Sequence, residues 1–259
     1  MRDYRAIFEH VESTLISVAS RNLSPDEIRA HLNETKEFEA KAFSDDEHYL
    51  NLVCVIFYSG FRAATVRAKL PSIRRYFSDY NAVAEYGEDE IDRILHDPEM
   101  VRNERKVRAC VRNAQVFKDI VAEHGSFQAY VGSLAPTESF ENLMLLKEEL
   151  EWRFKGIGPV TAYHCLTDMG LPVLKPDRVI CRIFQRLGLI ESDKQLLKTV
   201  IQGRKFAQAT GHPIRYIDLV FVHYGQIESS DLGKGICLER NPQCSICGVR
   251  GYCTYRAES

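Results

Sequence analysis

The chain has 259 residues and a formal charge of −2, with 45% hydrophobic residues, 27% charged residues, 15 Gly and 9 Pro. That apolar share offsets the entropy of ordering a chain and excludes a disordered protein. No run approaches the roughly 18–20 uncharged apolar residues that span a bilayer, and the opening MRDYRAIFEHVEST has no apolar signal region. A cytoplasmic protein without membrane contact, of one large or two interleaved domains, is expected.

In chain order, nearly everything reads as helix. Ser24-Pro25-Asp26-Glu27 opens one, with an oxygen-bearing cap, proline in the first turn and acids at the positive helix end. Residues 61–76 carry Arg62, Arg67, Lys69, Arg74 and Arg75 with no acid. Gly87-Glu88-Asp89-Glu90 opens another helix. Residues 101–118 carry six bases against Glu104 alone, within an amphipathic stretch from Arg102 to Ala122 whose stripe is Val107, Val111, Ala114, Phe117, Ile120 and Val121. Pro136 to Trp152 sets Leu143, Leu146 and Leu150 on one side and Lys147, Glu148 and Glu151 on the other. Pro213 to Tyr224 is apolar enough to be buried. Breaks are expected at Leu70-Pro71, Asp97-Pro98, His124-Gly125, Gly170-Leu171-Pro172 and Gly211-His212-Pro213. Strand-like alternation is scarce, and no fixed-period repeat is present.

Charge is uneven. Residues 1–50 hold 6 bases and 11 acids, and the remainder holds 28 bases and 25 acids. A near-neutral total therefore hides basic stretches that suit a polyanion, although a single such stretch alone reads first as a solvated helix face.

Between two helical segments lies Phe154-Lys155-Gly156-Ile157-Gly158-Pro159-Val160-Thr161-Ala162. Two glycines permit a tight turn, and Ile157 between them can plug the space between the helices. Pro159 suits the first helical position. The N–H groups of the turn and of the new helix then point outward, where they suit an anion, with Lys155 adding charge.

Eight cysteines stand at 54, 110, 165, 181, 237, 244, 247 and 253. The first four sit in apolar settings and read as small buried hydrophobes. The last four fall within 17 residues, a spacing that suits either tetrahedral zinc or an iron–sulfur cluster.

The hairpin segment, followed by Leu174-Lys175-Pro176-Asp177-Arg178-Val179, resembles the helix-hairpin-helix DNA glycosylases and their Gly/Pro-Asp loop. The resemblance implies an all-α, two-lobed fold. Residues 45–170 would form a helical barrel with the hairpin, and residues 1–44 and 171–259 a second helical domain. It implies a monomer acting on double-stranded DNA that carries a damaged or modified base. Lys155, Gly156, Ile157, Gly158, Val160 and Thr161 would grip the backbone, and Asp177 would be the catalytic carboxylate, a role compatible with capping the helix that follows. Family members that also cut the backbone carry a lysine where this chain has Val160. The resemblance therefore implies a monofunctional enzyme without lyase activity, using water.

The spacing Cys237-x6-Cys244-x2-Cys247-x5-Cys253 is similar to the loop of the endonuclease III and adenine-glycosylase branch. It implies a structural 4Fe-4S iron–sulfur cluster on those four residues. Residues 57–123 resemble 3-methyladenine DNA glycosylase I instead. The pocket glutamate of both branches falls on Val55, and the pocket tryptophan of the second on Ala63. An apolar slot at Val55 and Tyr58, with Phe57 and Phe61 beside it, would accept a methyl group. Phe61 would wedge the duplex with Arg62 beside it, and Trp152 would be a packing residue. The expected substrate is N6-methyladenine or 3-methyladenine. The competing readings are a non-catalytic module binding distorted DNA and an iron–sulfur redox protein.

Overall fold

The structure is a computed structural model that describes residues 3–20, 23–34, 43–226 and 232–255. It bears out an all-α chain: the described residues include no strand. The helices are α1 (Tyr4–Ala19), α2 (Pro25–Glu34), α3 (Asp45–Tyr58), α4 (Ala63–Phe77), α5 (Tyr80–Ala84), α6 (Glu88–His96) and α7 (Glu104–His124). Then come α8 (Phe127–Ser133), α9 (Phe140–Arg153), α10 (Pro159–Asp168), α11 (Arg178–Arg186), α12 (Leu196–Thr210) and α13 (Ile214–Gly225), with a 3-10 turn at Arg250–Tyr252. No helix among the described residues is long and apolar enough to cross a membrane.

Local chemistry sets most boundaries. Ser24 and Glu27 exchange reciprocal bonds at the start of α2: Ser24 N–H donates to Glu27 Oε2 (2.7 Å), and Glu27 N–H donates to Ser24 Oγ (3.2 Å). Asn103 accepts from Lys106 N–H to open α7, and Gly125 closes it in the left-handed conformation. Helix α9 begins later than Pro136, because Ser139 Oγ accepts from Asn142 N–H and fixes the first turn there.

Two expectations from sequence are corrected. The break at Leu70-Pro71 does not occur: Pro71 lies inside α4. Its ring is exposed, and Val66, Ile73 and Phe77 on the buried face carry the helix through the one hydrogen bond lost. Lys147 is not on a solvated face of α9. It is buried, with Nζ on Glu148 (2.9 Å) and Glu151 and 5.6 Å from the Tyr163 ring centroid.

The chain divides into two compact units, Ala42–Leu171 and the combination of Met1–Lys41 with Pro172–Ser259. In the first, Phe117 stacks on Phe127 at 4.4 Å and Tyr49 meets Phe117 edge-on at 5.7 Å. The buried Tyr49 hydroxyl donates to the Cys110 carbonyl at 3.0 Å. In the second, α1, α11, α12 and α13 converge on Phe8, Phe184, Phe206 and Phe221, with ring centroids 5.0–6.5 Å apart. Helix α13 is buried along most of its length, as its apolar sequence predicts.

Candidate active site

The hairpin belongs to the 42–171 unit. Phe154 ends α9, with its ring buried and its N–H still on the Leu150 carbonyl (3.1 Å). The next residue is held through both its backbone groups by one side chain. Lys155 N–H donates to Asn113 Oδ1 (2.7 Å), and Asn113 Nδ2 donates to the Lys155 carbonyl (2.9 Å). Asn113 is wholly buried on α7. Gly156 follows with φ +84°, and a Cβ there would make only ordinary contact with Ala109 and Ile56 at 3.7 Å. Conformation rather than space therefore requires glycine at this position.

Ile157 is buried, as a plug should be. Gly158 N–H donates to Thr161 Oγ1 (2.6 Å) and α10 begins at Pro159. The N–H groups of Gly156, Val160 and Thr161 donate to no backbone or side-chain group among the described residues. Val160 and Lys155 are exposed. Beside the hairpin, a cavity of about 510 Å³ is floored by Ile56, Ala109 and Gly156 and ringed by basic side chains of α7.

The residues expected around a base diverge in setting. Val55 is 0% exposed and Phe57 is equally buried, packed on Phe77 at 5.9 Å; neither lines the cavity. Tyr58 is half-buried with its ring 6.4 Å from His164, and burial raises its pKa. Phe61 is 38% exposed, with the Lys106 ammonium 5.1 Å from its ring centroid. Arg62 is exposed and precedes α4, whose first N–H groups (Thr65, Val66) bond its carbonyl. Trp152, expected to pack, is 78% exposed on α9 with the Arg153 guanidinium 5.4 Å from its ring. The buried seam of that helix runs through Leu143, Leu146 and Leu150, and Trp152 falls off it.

Asp177 belongs to the other unit. It caps α11 through one oxygen: Oδ1 accepts from Val179 N–H (2.9 Å) and Ile180 N–H (3.0 Å). Oδ2 takes no hydrogen bond among the described residues and has only the Lys175 ammonium at 3.9 Å. The loop carrying it is tied down by a residue the sequence reading passed over. Asp218 of α13 is 2% exposed; its Oδ1 accepts from Lys175 N–H (3.0 Å) and its Oδ2 from Arg215 Nη1 (2.9 Å). Burial raises the Asp218 pKa, with Arg215 and Lys175 opposing the shift. A lone acid within so apolar a helix was the available signal, as was the polar Asn113 within the apolar stripe of α7.

The cysteine loop shares that unit. Arg186 of α11 donates to Cys237 Sγ (3.3 Å) and to the Leu238 (2.6 Å) and Glu239 (3.2 Å) carbonyls. Arg182 reaches the Gly225 (2.6 Å) and Cys237 (3.2 Å) carbonyls. The Tyr224 hydroxyl and Cys247 Sγ are 3.2 Å apart. Gly248 lies so close to α1 that a Cβ would stand 2.2 Å from Thr14 Oγ1 and 2.7 Å from the His10 carbonyl. Among the described residues no three His, Cys, Asp or Glu side chains are gathered to hold a metal ion. The donors nevertheless suit an anionic thiolate-ligated group, with Arg186 donating to the Cys237 sulfur, the Tyr224 hydroxyl beside Cys247 Sγ and two guanidiniums alongside. Of the other cysteines, Cys110, Cys165 and Cys181 are buried. Cys54 is half-buried, and burial pushes its thiol up to about 11.

A family model for methyladenine glycosylases matches residues 35–175, over half the chain. The match stops two residues before Asp177. A trapped endonuclease III–DNA covalent intermediate is similar over 90% of this chain and 96% of its own, with TM-score 0.57 and 17% identity. The 8-oxoguanine DNA glycosylases of Thermotoga maritima (TM-score 0.54, 18% identity, 83% of this chain and 96% of that one) and Methanocaldococcus jannaschii (0.51, 20%, 83% and 92%) are likewise similar. At such identities the likeness is one of fold, and it extends over residues beyond the family match.

Proposed function

Because this chain belongs to the methyladenine glycosylase family, we propose that it is a monofunctional DNA glycosylase releasing a methylated adenine, N6-methyladenine or 3-methyladenine, from duplex DNA. The observation that carries the reading is the division of labour within one carboxylate. Asp177 Oδ1 is fixed by two helix N–H groups while Oδ2 is left to Lys175 alone at 3.9 Å. A carboxylate so anchored does not swing away as the glycosidic bond breaks. Its second oxygen orients a water molecule and stabilises the oxocarbenium-like sugar.

The modified nucleotide is flipped out of the stack, and exposed Phe61 fills the gap it leaves. The unclaimed N–H groups of Gly156, Val160 and Thr161 hold phosphate without reading sequence. The Val160 side chain carries no amine, so no Schiff base forms there and the strand stays intact. With valine at position 55, no carboxylate is present there to protonate the adenine. A cationic 3-methyladenine departs easily, whereas a neutral N6-methyladenine needs the help that Asp177 offers. Cys237, Cys244, Cys247 and Cys253 would hold a 4Fe-4S cluster. Such a cluster would brace the loop, since base hydrolysis requires no electron transfer. The working form is a monomer.

The test is incubation of the full chain with duplexes carrying single modified bases, followed by alkali. Strand scission only after alkali identifies a monofunctional glycosylase and its substrate. Asp177→Asn, which preserves the cap, is expected to bind DNA as wild type does but to lose about 10²–10³-fold in single-turnover release. Undiminished release by that variant would sink the assignment. Binding of distorted duplex with no release from any lesion would favour a non-catalytic module.

A further inference from the structure

Five basic side chains line the cavity beside the hairpin, and no acid does: Arg105, Lys106, Arg108 and Arg112 of α7, and Lys155. Two of the five are already engaged. Lys106 Nζ caps the end of α3, donating to the carbonyls of Ile56, Phe57 (3.4 Å) and Ser59 (2.6 Å), and burial lowers its pKa. Arg108 is held by Glu88 through both terminal nitrogens (2.7 Å each) and by Glu104 through Nε (2.8 Å). The other three, Arg105, Arg112 and Lys155, make no ion pair or side-chain hydrogen bond among the described residues.

Their spacing is informative. Arg105 and Arg112 are seven residues apart on one helix, two turns along the same face, or about 10.5 Å of rise. That interval sets both guanidiniums on one side of the helix, where they can reach separate phosphates of one strand. Lys155 closes the row at the hairpin. Its peptide is bolted to Asn113, the residue after Arg112, so the helix and the hairpin hold one register.

We propose that α7 and the hairpin form one continuous phosphate-binding wall, in which Arg105 and Arg112 extend the grip on a DNA strand beyond the hairpin. The occupant is the sugar–phosphate backbone, recognised by charge without reading sequence. Arg108 is a reserve cation, withheld from that wall by Glu88 and Glu104. The proposal rests on the reading of the protein as one that binds duplex DNA, but not on base release.

The experiment measures binding of the full chain to an unmodified labelled duplex over a range of salt concentrations. Each phosphate contact contributes about 0.9 to the slope of log K against log salt. Arg105→Gln and Arg112→Gln should each lower that slope by about 0.9, and the double variant by about 1.8. Glu88→Gln with Glu104→Gln should raise it by about 0.9 by releasing Arg108, an arm that keeps all the cations and so guards against misfolding of the arginine variants. A double variant with the wild-type slope, or a wild-type chain that binds no duplex, overturns the wall. Slopes that fall as expected in a protein that releases no base uphold the wall and overturn the glycosylase reading alone.

Discussion

The hairpin and the cysteine loop are both short, irregular and rich in chemistry, yet they are held in opposite ways. In the hairpin the chain's own atoms complete the shape. Asn113 satisfies both backbone groups of Lys155, Gly156 takes the left-handed turn, Ile157 plugs the core and Thr161 receives the Gly158 N–H. The cysteine loop is fastened from outside, by Arg182 and Arg186 of α11 and by the tight seat of Gly248 against α1. A turn that presents N–H groups can be preorganised by hydrogen bonds. If the four cysteines hold the proposed cluster, their thiolates repel one another until the bound iron offsets that repulsion, so ligand geometry and folding would be coupled there.

The largest expected effect tests the cysteine loop. Purified wild-type protein should be brown, with stoichiometric iron and sulfide. Cys247→Ser should lose iron and at least about 3 kcal/mol, a fall in Tm of roughly 6–12 °C by thermal denaturation. A colourless, zinc-containing preparation would replace the cluster by another metal and leave the contrast standing. A metal-free protein of undiminished Tm would break it.

Next is the hairpin clamp. Asn113→Ala leaves the Lys155 N–H and carbonyl without their partner, a loss of about 2–4 kcal/mol, with faster exchange of the Lys155 amide and at least about tenfold weaker duplex binding. Wild-type exchange at Lys155 would show that the clamp is dispensable. A smaller effect separates the two glycines. Gly156→Ala forces a left-handed alanine and should cost about 1–2 kcal/mol in urea unfolding. Gly158→Ala, at φ −133°, should cost less. Equal costs would remove conformation as the reason for Gly156.

The smallest effect concerns acid stability. His48 is buried, its Nε2 beside Gln128 Oε1 at 3.0 Å, and desolvation lowers its pKa from 6.5. The unfolded chain then binds the proton more readily. Stability should be full at neutral pH and decline as pH falls below about 6.5. His48→Gln should flatten that decline in pH-dependent Tm measurements, and an unchanged profile would assign the acid sensitivity elsewhere.

Much of this was legible from sequence because it is local. The Gly-Ile-Gly turn, Pro159 at the head of α10, Asp177 as a cap and the buried α13 all follow from interactions within a few residues. The spacing of the four cysteines is likewise a property of the chain alone. Tertiary structure decided the rest. Asn113 is 42 residues from the peptide it clamps and Asp218 is 43 from the loop it ties down. Pro71 stays inside a helix because a buried face carries it, Trp152 is exposed because the seam of α9 runs past it, and Val55 is sealed in the core of its unit. A pattern along the chain tells which residues share a helix face or a turn; only packing decides what that face meets, and buried polar groups are defined by partners that lie far away in sequence.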